Sequence, residues 1–248
     1  DRIVRLYSED VRYSPGYGWL VWNGNTWEPD SENAKLTLLA TESMILLRDE
    51  ALEDAKQPDN FKAALARASW ATSSLNVGRL HAAIDLARAR EKVRIDIDRL
   101  DDKDTKFMLN TPNGTVNLKT GELLDSNKKA LITKCTTVPY NKEAECPFWL
   151  KTLNLAFNGD QELIDYMQRA IGYSITGSIS EQCLFICWGE QGNNGKSTIL
   201  ETIQKILGSY AQMSDMKVIT SAESDNRVAS SLAKLPGVRV VSMNEAEE

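Results

Sequence analysis

The sequence has little of what marks secreted, membrane-spanning or zinc-binding proteins. It contains no apolar run near the roughly 18 residues that a transmembrane helix needs, and the charged start, DRIVRLYSEDVRY, has no apolar core of a signal peptide. We therefore expect a cytoplasmic location. Histidine occurs once and cysteine four times. Because no cysteine pair has C-x-x-C spacing, buried reduced thiols are a better prediction than a structural zinc site.

The composition is that of an ordinary globular protein. Of the 248 residues, 42% are hydrophobic and 26% are charged, which allows one large domain or two modest ones. The formal net charge is -6. Proteins that coat duplex DNA through phosphate contacts are usually basic, so this charge argues against such a protein. It is compatible with a ring that contacts DNA through a few basic residues in a central pore.

Residues 1–145 predict an α+β accessory domain. Asn23-Gly24 between apolar runs indicates a β-hairpin within residues 13–30. Helical periodicity follows from residue 31 to 92 and is interrupted at Pro58. Residues 107–140 then combine short apolar stretches with tight-turn sequences, which predicts short strands.

Two groups of side chains in this part have alternative interpretations. Trp19, Trp22 and Trp27 have the chemistry to stack on bases, but packing inside the hairpin explains them better. The basic residues near position 90 and at Lys128-Lys129 are interleaved with acids. They indicate a solvated face more than a DNA-binding patch.

Residues 146–248 predict helices followed by the first half of an α/β P-loop domain. Helical patterns cover 148–157 and 163–172, with Asn158-Gly159 as the break. The run CLFICW at 183–188 predicts a strand buried in a parallel sheet. A polar loop and a helix ending at Gly208 follow. A further helix is expected at 226–235, and VRVVSM at 238–243 predicts a second buried strand.

The loop GEQGNNGKST between strand and helix has the residues of a phosphate-binding loop. Its glycines permit close approach of backbone N–H groups to a triphosphate. Lys196 is expected to reach the β- and γ-phosphates of ATP, and the Ser197 hydroxyl to bind Mg²⁺. The helix contributes the positive end of its dipole. The predicted nucleotide-binding residues are Gly189, Gly192, Asn193, Asn194, Gly195, Lys196, Ser197 and Thr198.

The spacing of this loop differs from the pattern G-x-x-x-x-G-K-[ST]. Counting back five residues from Gly195 gives Glu190, and Gly189 lies one residue further away. Either the loop is one residue longer than usual, or Gly192 supplies the flexibility.

Acidic residues follow the strand at 238–243. In P-loop ATPases an acid at a strand end helps to bind Mg²⁺, and a second one polarises the attacking water. Glu245 is predicted as the metal-binding catalytic residue and Glu247 as its catalytic partner, with Glu248 as an alternative to Glu247. With Lys196, they complete the predicted catalytic set.

Four stretches, in order, resemble the phage and plasmid primase–helicase family, the superfamily 3 helicases related to the poxvirus primase–helicase. They are NGTVNLKTGELL (113–124), LITKCTTVPYNKEAECPFWLKTL (131–153), the sequence at 164–198 that ends in the phosphate loop, and RVVSMNEAEE (239–248). Besides the longer loop, one departure is Asn117-Leu118 where the family has Asp-Leu.

The resemblance implies an AAA+-like motor preceded by a small accessory domain. It also implies a homo-hexameric ring that hydrolyses ATP with Mg²⁺, unwinds DNA and works with a primase or other replication proteins. In the family, the sensor residue, the pore hairpin and the arginine finger come after the second acidic motif. We therefore expect the P-loop domain to be incomplete in these residues, and this chain alone not to unwind DNA.

Three functions remain in competition at this point. The first is an ATP-driven replicative helicase. The second is a non-catalytic module that binds nucleotide and docks replication partners without turnover, and a steady-state ATPase assay with and without single-stranded DNA separates the two. A primase is the weakest candidate, because no carboxylate constellation for nucleotidyl transfer is evident.

Overall fold

The computed structural model describes residues 2–189, 194–214 and 235–243 and divides the chain into two compact units with mixed α/β structure. The first unit comprises Asp1–Asn23 and Trp27–Arg99, and the second comprises Gly24–Thr26 and Leu100–Glu248. The predicted accessory region, 1–145, thus spans the first unit and the start of the second. The domain boundary after residue 145 stays a prediction.

The first unit combines a three-stranded antiparallel sheet with four helices. The strands are β1 (Val11–Ser14), β2 (Gly18–Trp22) and β3 (Trp27–Pro29), in that order. The helices are α1 (Arg2–Tyr7), α2 (Ala34–Asp54), α3 (Phe61–Ser73) and α4 (Val77–Ala87). Gly24, with φ +100°, lies in the turn between β2 and β3 as predicted, and a short 3₁₀ turn at Pro58–Asn60 separates α2 from α3.

The core of this unit confirms that tryptophans of the sheet pack inside it. Trp19 and Trp27 are buried, and Trp22 is half-buried against Trp27 with ring centroids 5.6 Å apart. Alternation along β2 places Trp19 and Val21 in one cluster with helix residues. The buried members of that cluster are Ile3, Val4, Val11, Trp19, Val21, Leu36, Ala40, Leu80, Ile84, Ala87 and Val93.

The second unit begins with the predicted short strands. They are β4 (Met108–Thr111), β5 (Gly114–Asn117) and β6 (Glu122–Leu124), which form an antiparallel sheet in that order. Gly114 has φ +143°, and a Cβ at this position would lie 2.5 Å from the Leu124 carbonyl oxygen. Only glycine fits where β5 and β6 approach so closely.

In the described residues after this sheet, three α-helices and a small parallel sheet follow. Helix α5 (Pro147–Ala156) ends at Asn158-Gly159, both with positive φ, and the Asp160 side chain caps α6 (Gln161–Ser174) by accepting from Leu163 N at 3.1 Å. Helix α7 (Lys196–Leu207) leads to β7 (Ala211–Ser214), which pairs in parallel with β8 (Val240–Met243).

The prediction of a buried strand at 183–188 is wrong for this structure. These residues have no regular secondary structure, and Leu184, Ile186 and Trp188 are 74%, 81% and 75% exposed. A central parallel strand needs hydrogen-bonded neighbours on both edges. Among the described residues, β7 and β8 pair with each other, and no strand pairs with 183–188. The predicted helix at 226–235 lies almost wholly outside the described residues.

A membrane-spanning helix is not found in the described part of the chain, where no helix is both long and apolar enough to cross a bilayer.

Candidate functional site

The described part of the predicted phosphate loop is Gly189 and residues 194–198, and Gly192 and Asn193 lie outside it. Helix α7 begins at Lys196, directly after Gly195 in the left-handed conformation at φ +83°. The Gly195 carbonyl accepts the first helical hydrogen bond, from Ile199 N at 3.0 Å. The backbone N–H groups of the first turn have no partner within the helix, which leaves donors for an anionic ligand.

Gly189 lies against the start of this helix. A Cβ on Gly189 would overlap the Asn194 side-chain amide and would come within 3.2 Å of the Lys196 Nζ. The ammonium group is therefore folded back toward the first residue of the loop, and the absence of a side chain at Gly189 permits this approach. The arrangement places a cation beside helical N–H donors, a combination that suits phosphate oxygens.

The two hydroxyl residues of the motif occupy the first turn of α7. Ser197 and Thr198 are exposed. The Thr198 carbonyl accepts the Thr202 hydroxyl at 2.7 Å, which is an ordinary i to i+4 contact in a helix. The Ser197 hydroxyl thus lies on the surface of the helix start, one residue after the lysine.

Helix α7 and strand β8 run in opposite directions. The Gln204 side chain donates to the Ser242 hydroxyl, and Leu207, one turn later in the helix, lies in the cluster against which Val240 packs. The start of α7 therefore lies toward the carboxyl end of β8. The carboxyl end of β8, at Met243, is the end nearer to Lys196. Glu245 and Glu247 themselves are outside the described residues.

The opposite end of β8 is held by Arg239, which was not among the predicted site residues. Its guanidinium donates to the carbonyls of Ile175 at 2.8 Å, Thr105 at 3.1 Å and Met108. It also lies 4.5 Å from the centroid of the Tyr210 ring. The sequence did contain one indication of this anchor. An arginine at the start of an apolar strand is expected to need hydrogen-bond acceptors inside the protein.

Burial is the main cause of the pKa shifts of Arg239 and of the ionisable groups around it. It lowers the pKa of Arg239 and raises the pKa of Tyr210 to about 12. It also raises the pKa of Asp101, against the opposing effect of hydrogen bonds from the Thr133 backbone N–H at 2.7 Å and the Thr133 hydroxyl. Lys134 and Arg239 provide further positive charge near this carboxylate.

The cysteines are free, as predicted, but they are less buried than predicted. Cys146, Cys183 and Cys187 are exposed and Cys135 is half-buried. Cys183 and Cys187 lie in the run at 183–188, where the predicted buried strand is not formed. In the described residues, no three His, Cys, Asp or Glu side chains are grouped so that they could hold a metal ion.

Comparison with known proteins identifies the front of the chain. The family model described as D5 N terminal like matches residues 1–158, which is more than half of the sequence. The chain belongs to this family. The resemblance to primase–helicases is thereby confirmed at the family level. The matched residues also include the helical region at 31–92, which precedes the four stretches that carry the resemblance. The phosphate loop lies outside the matched residues.

A curated relative comes from Acanthamoeba polyphaga mimivirus and is named "Putative helicase". It is 25% identical over 146 residues, which correspond to 57% of this chain and 15% of the relative. The chain therefore spans about one seventh of the relative's length.

Proposed function

We propose that this chain carries the nucleotide-binding part of an ATP-dependent DNA helicase that serves the replication of a phage, plasmid or other mobile element. The observation that carries the proposal is the start of α7, where the Lys196 ammonium is folded back toward Gly189 beside helical N–H groups that have no partner within the helix. Membership of the D5 N terminal like family and the similarity to a protein named as a helicase support it.

Each residue of the site has a stated function in this proposal. The N–H groups at the start of α7 and the Lys196 ammonium hold the β- and γ-phosphates of ATP. The Ser197 hydroxyl and the Glu245 carboxylate bind Mg²⁺, and Glu247 polarises the attacking water. Glu248 is the alternative to Glu247. The opposite directions of α7 and β8 support this assignment, since the acids follow the strand end nearest to Lys196.

The proposal also includes the assembly of several copies of the protein into a ring. A ring ATPase of this kind is active at subunit interfaces, where a neighbour's arginine stabilises charge on the transferred phosphate and typically accelerates the reaction by roughly 10³–10⁵. We infer a homo-hexamer that encloses forked or single-stranded DNA. Primase or other replication proteins are its further partners.

A forked-duplex strand-displacement assay with ATP tests the activity itself. We expect the complete gene product to unwind the fork when ATP is present and not when ATP is omitted, at matched salt. Absence of unwinding with ATP would contradict the helicase activity. Nucleotide binding without any ATP turnover would favour the non-catalytic docking module.

The acidic residues are tested by substitution in the complete gene product. Glu245→Gln should abolish ATP hydrolysis and leave ATP binding intact, because its charge acts where the transition state forms. Full turnover in Glu245→Gln would shift the function to Glu247 or Glu248. Full turnover in all three single variants would remove the acidic motif from the mechanism.

A further inference from the structure

Two lysines from separate parts of the chain share one phenylalanine ring in the second unit. The Lys119 Nζ lies 4.5 Å and the Lys106 Nζ 5.3 Å from the centroid of the Phe107 ring. Both lysines are exposed and the ring is half-buried. We call these three residues the lysine–phenylalanine platform.

The backbone that carries the platform is fixed by hydrogen bonds. Leu118 N donates to the Phe107 carbonyl at 2.8 Å, which extends the β4–β5 pairing beyond the strand ends. Lys119 N donates to the Asn117 side chain at 3.0 Å. The Lys106 carbonyl accepts from Gly177 N at 2.7 Å. The three side chains therefore start from positions that are set before any ligand binds, which lowers the entropy cost of binding.

Within the part of the chain that the structure describes, no ion pair balances the two positive charges of the platform. Their Nζ atoms lie within about 10 Å of each other, since both approach the same centroid, and this is near the Debye length at 0.1 M salt. Like charges at this separation repel. Among the ion pairs of the described residues, none involves Lys106 or Lys119. An anion beside both ammonium groups would relieve the repulsion.

We propose that the lysine–phenylalanine platform binds single-stranded DNA. In the complex a backbone phosphate draws the Lys106 and Lys119 ammonium groups away from the ring face, and an adjacent base takes their place on the exposed part of Phe107. Basic groups that follow the backbone, next to aromatic rings that accept any base, are the usual means of binding single strands without sequence preference. The net charge of -6 makes a local cationic patch more favourable for DNA than the rest of the surface.

The site goes beyond the proposed function because it lies next to the start of β4 and the end of β5, away from the phosphate loop in sequence, and does not require ATP hydrolysis. It therefore predicts that the chain binds a single strand without nucleotide. Duplex DNA keeps its bases stacked inside the helix and presents only phosphates to the platform. Binding of single strands should accordingly be tighter than binding of duplex of equal length.

Fluorescence anisotropy with a labelled oligo-dT tests the proposal across a salt series. Lys106→Ala/Lys119→Ala should reduce the slope of log K against log salt by about 0.7, because the platform neutralises one phosphate and each phosphate of a single strand contributes about 0.7. The matched control is Lys62→Ala/Lys151→Ala, which removes two exposed helical lysines and should leave the slope unchanged. If the two double variants changed this slope equally, the proposed binding site would be wrong.

The stacking contact is tested at the ring. Phe107→Leu should weaken oligo-dT binding by about fivefold or more, and Phe107→Tyr should stay within about twofold of the wild type. Unchanged binding by Phe107→Leu, or equal affinity of the wild type for duplex and single strand, would overturn the stacking. The affinity for Mg·ATP is measured on the same variants and should not change. A chain that binds oligo-dT through the platform but does not bind Mg·ATP would refute the proposed function and leave this inference standing.

Discussion

Arg239 shows how one half-buried charge connects several elements. Its guanidinium bonds to carbonyls near the start of β4 and after α6, and its backbone N–H donates to the Tyr210 carbonyl at 2.8 Å. Tyr210 in turn accepts from Asn110 N through its hydroxyl at 3.0 Å. A planar guanidinium with five donors can satisfy such a set of acceptors, whereas a lysine ammonium has different geometry.

Arg239→Met is therefore expected to lower the free energy of unfolding by about 2–4 kcal/mol, because buried carbonyl oxygens lose their donors. Urea unfolding followed by circular dichroism measures this change. Arg48→Met is the matched control, since the Arg48 side chain is 37% exposed and forms an ion pair with its neighbour Asp49, and its effect should stay within about 0.5 kcal/mol. Equal stability of the two variants would contradict the anchoring function.

Asp101 makes stability depend on pH in a direction that can be predicted. Its folded-state pKa is raised above 3.8, chiefly by burial, so the folded state retains the proton at pH values where the unfolded state has lost it. The Asp101 contribution thus becomes more favourable as the pH falls from neutral through the folded pKa toward 3.8. The opposite applies as the pH rises.

Asp101→Asn isolates this effect, because asparagine is nearly isosteric and tolerates the positive φ of 50° at this position. We expect the stability of the wild type relative to the Asn variant to increase as the pH is lowered from about 7 toward about 4. Urea unfolding of both proteins at several pH values provides the comparison. A relative stability that decreases on acidification would mean that the charged form is the favoured one in the fold.

At the scale of elements, the start of α7 depends on the glycine before it. Gly195 has φ +83°, and a Cβ there would lie 3.0 Å from the Ala156 Cβ. Gly195→Ala should therefore destabilise the protein by about 1–2 kcal/mol and weaken Mg·ATP binding, as measured by urea unfolding and calorimetry.

Gly172→Ala is the control for this substitution. Gly172 is exposed within α6, and a Cβ added there would have no atom within 4 Å. Alanine there should stabilise the helix by about 0.5–1 kcal/mol. If Gly195→Ala behaved like Gly172→Ala, the left-handed start of α7 would not be required for binding.

Elements with local signals could be predicted from the sequence. Turn residues such as Asn23-Gly24 and Asn158-Gly159, the interruption at Pro58 and the end of α7 at Gly208 all act through the backbone of their own segment. The run at 183–188 failed because its apolar side chains specify burial but not the neighbours that would provide it. Arg239 was missed because its acceptors come from distant positions, which no local pattern indicates.

At the scale of the whole molecule, the evidence for family membership and the candidate nucleotide-binding site come from different parts of the chain. The D5 N terminal like match ends at residue 158, and the phosphate loop begins at Gly189. The family therefore supports a primase–helicase relationship, whereas nucleotide binding depends on the loop sequence and on the start of α7. Gly195, Lys196 and Ser197 are among the predicted site residues whose positions the structure describes, whereas the acidic motif stays a prediction.

Calorimetric titration of the chain with Mg·ATP tests the central claim most directly. We expect saturable binding by the wild type and an affinity about tenfold to a hundredfold lower in Lys196→Ala, because a charge-assisted contact to phosphate is worth roughly 1.5–3 kcal/mol. Lys205→Ala is the control, since Lys205 is an exposed lysine in the last turn of the same helix, and it should bind like the wild type. Equal affinity in Lys196→Ala and Lys205→Ala would contradict the account.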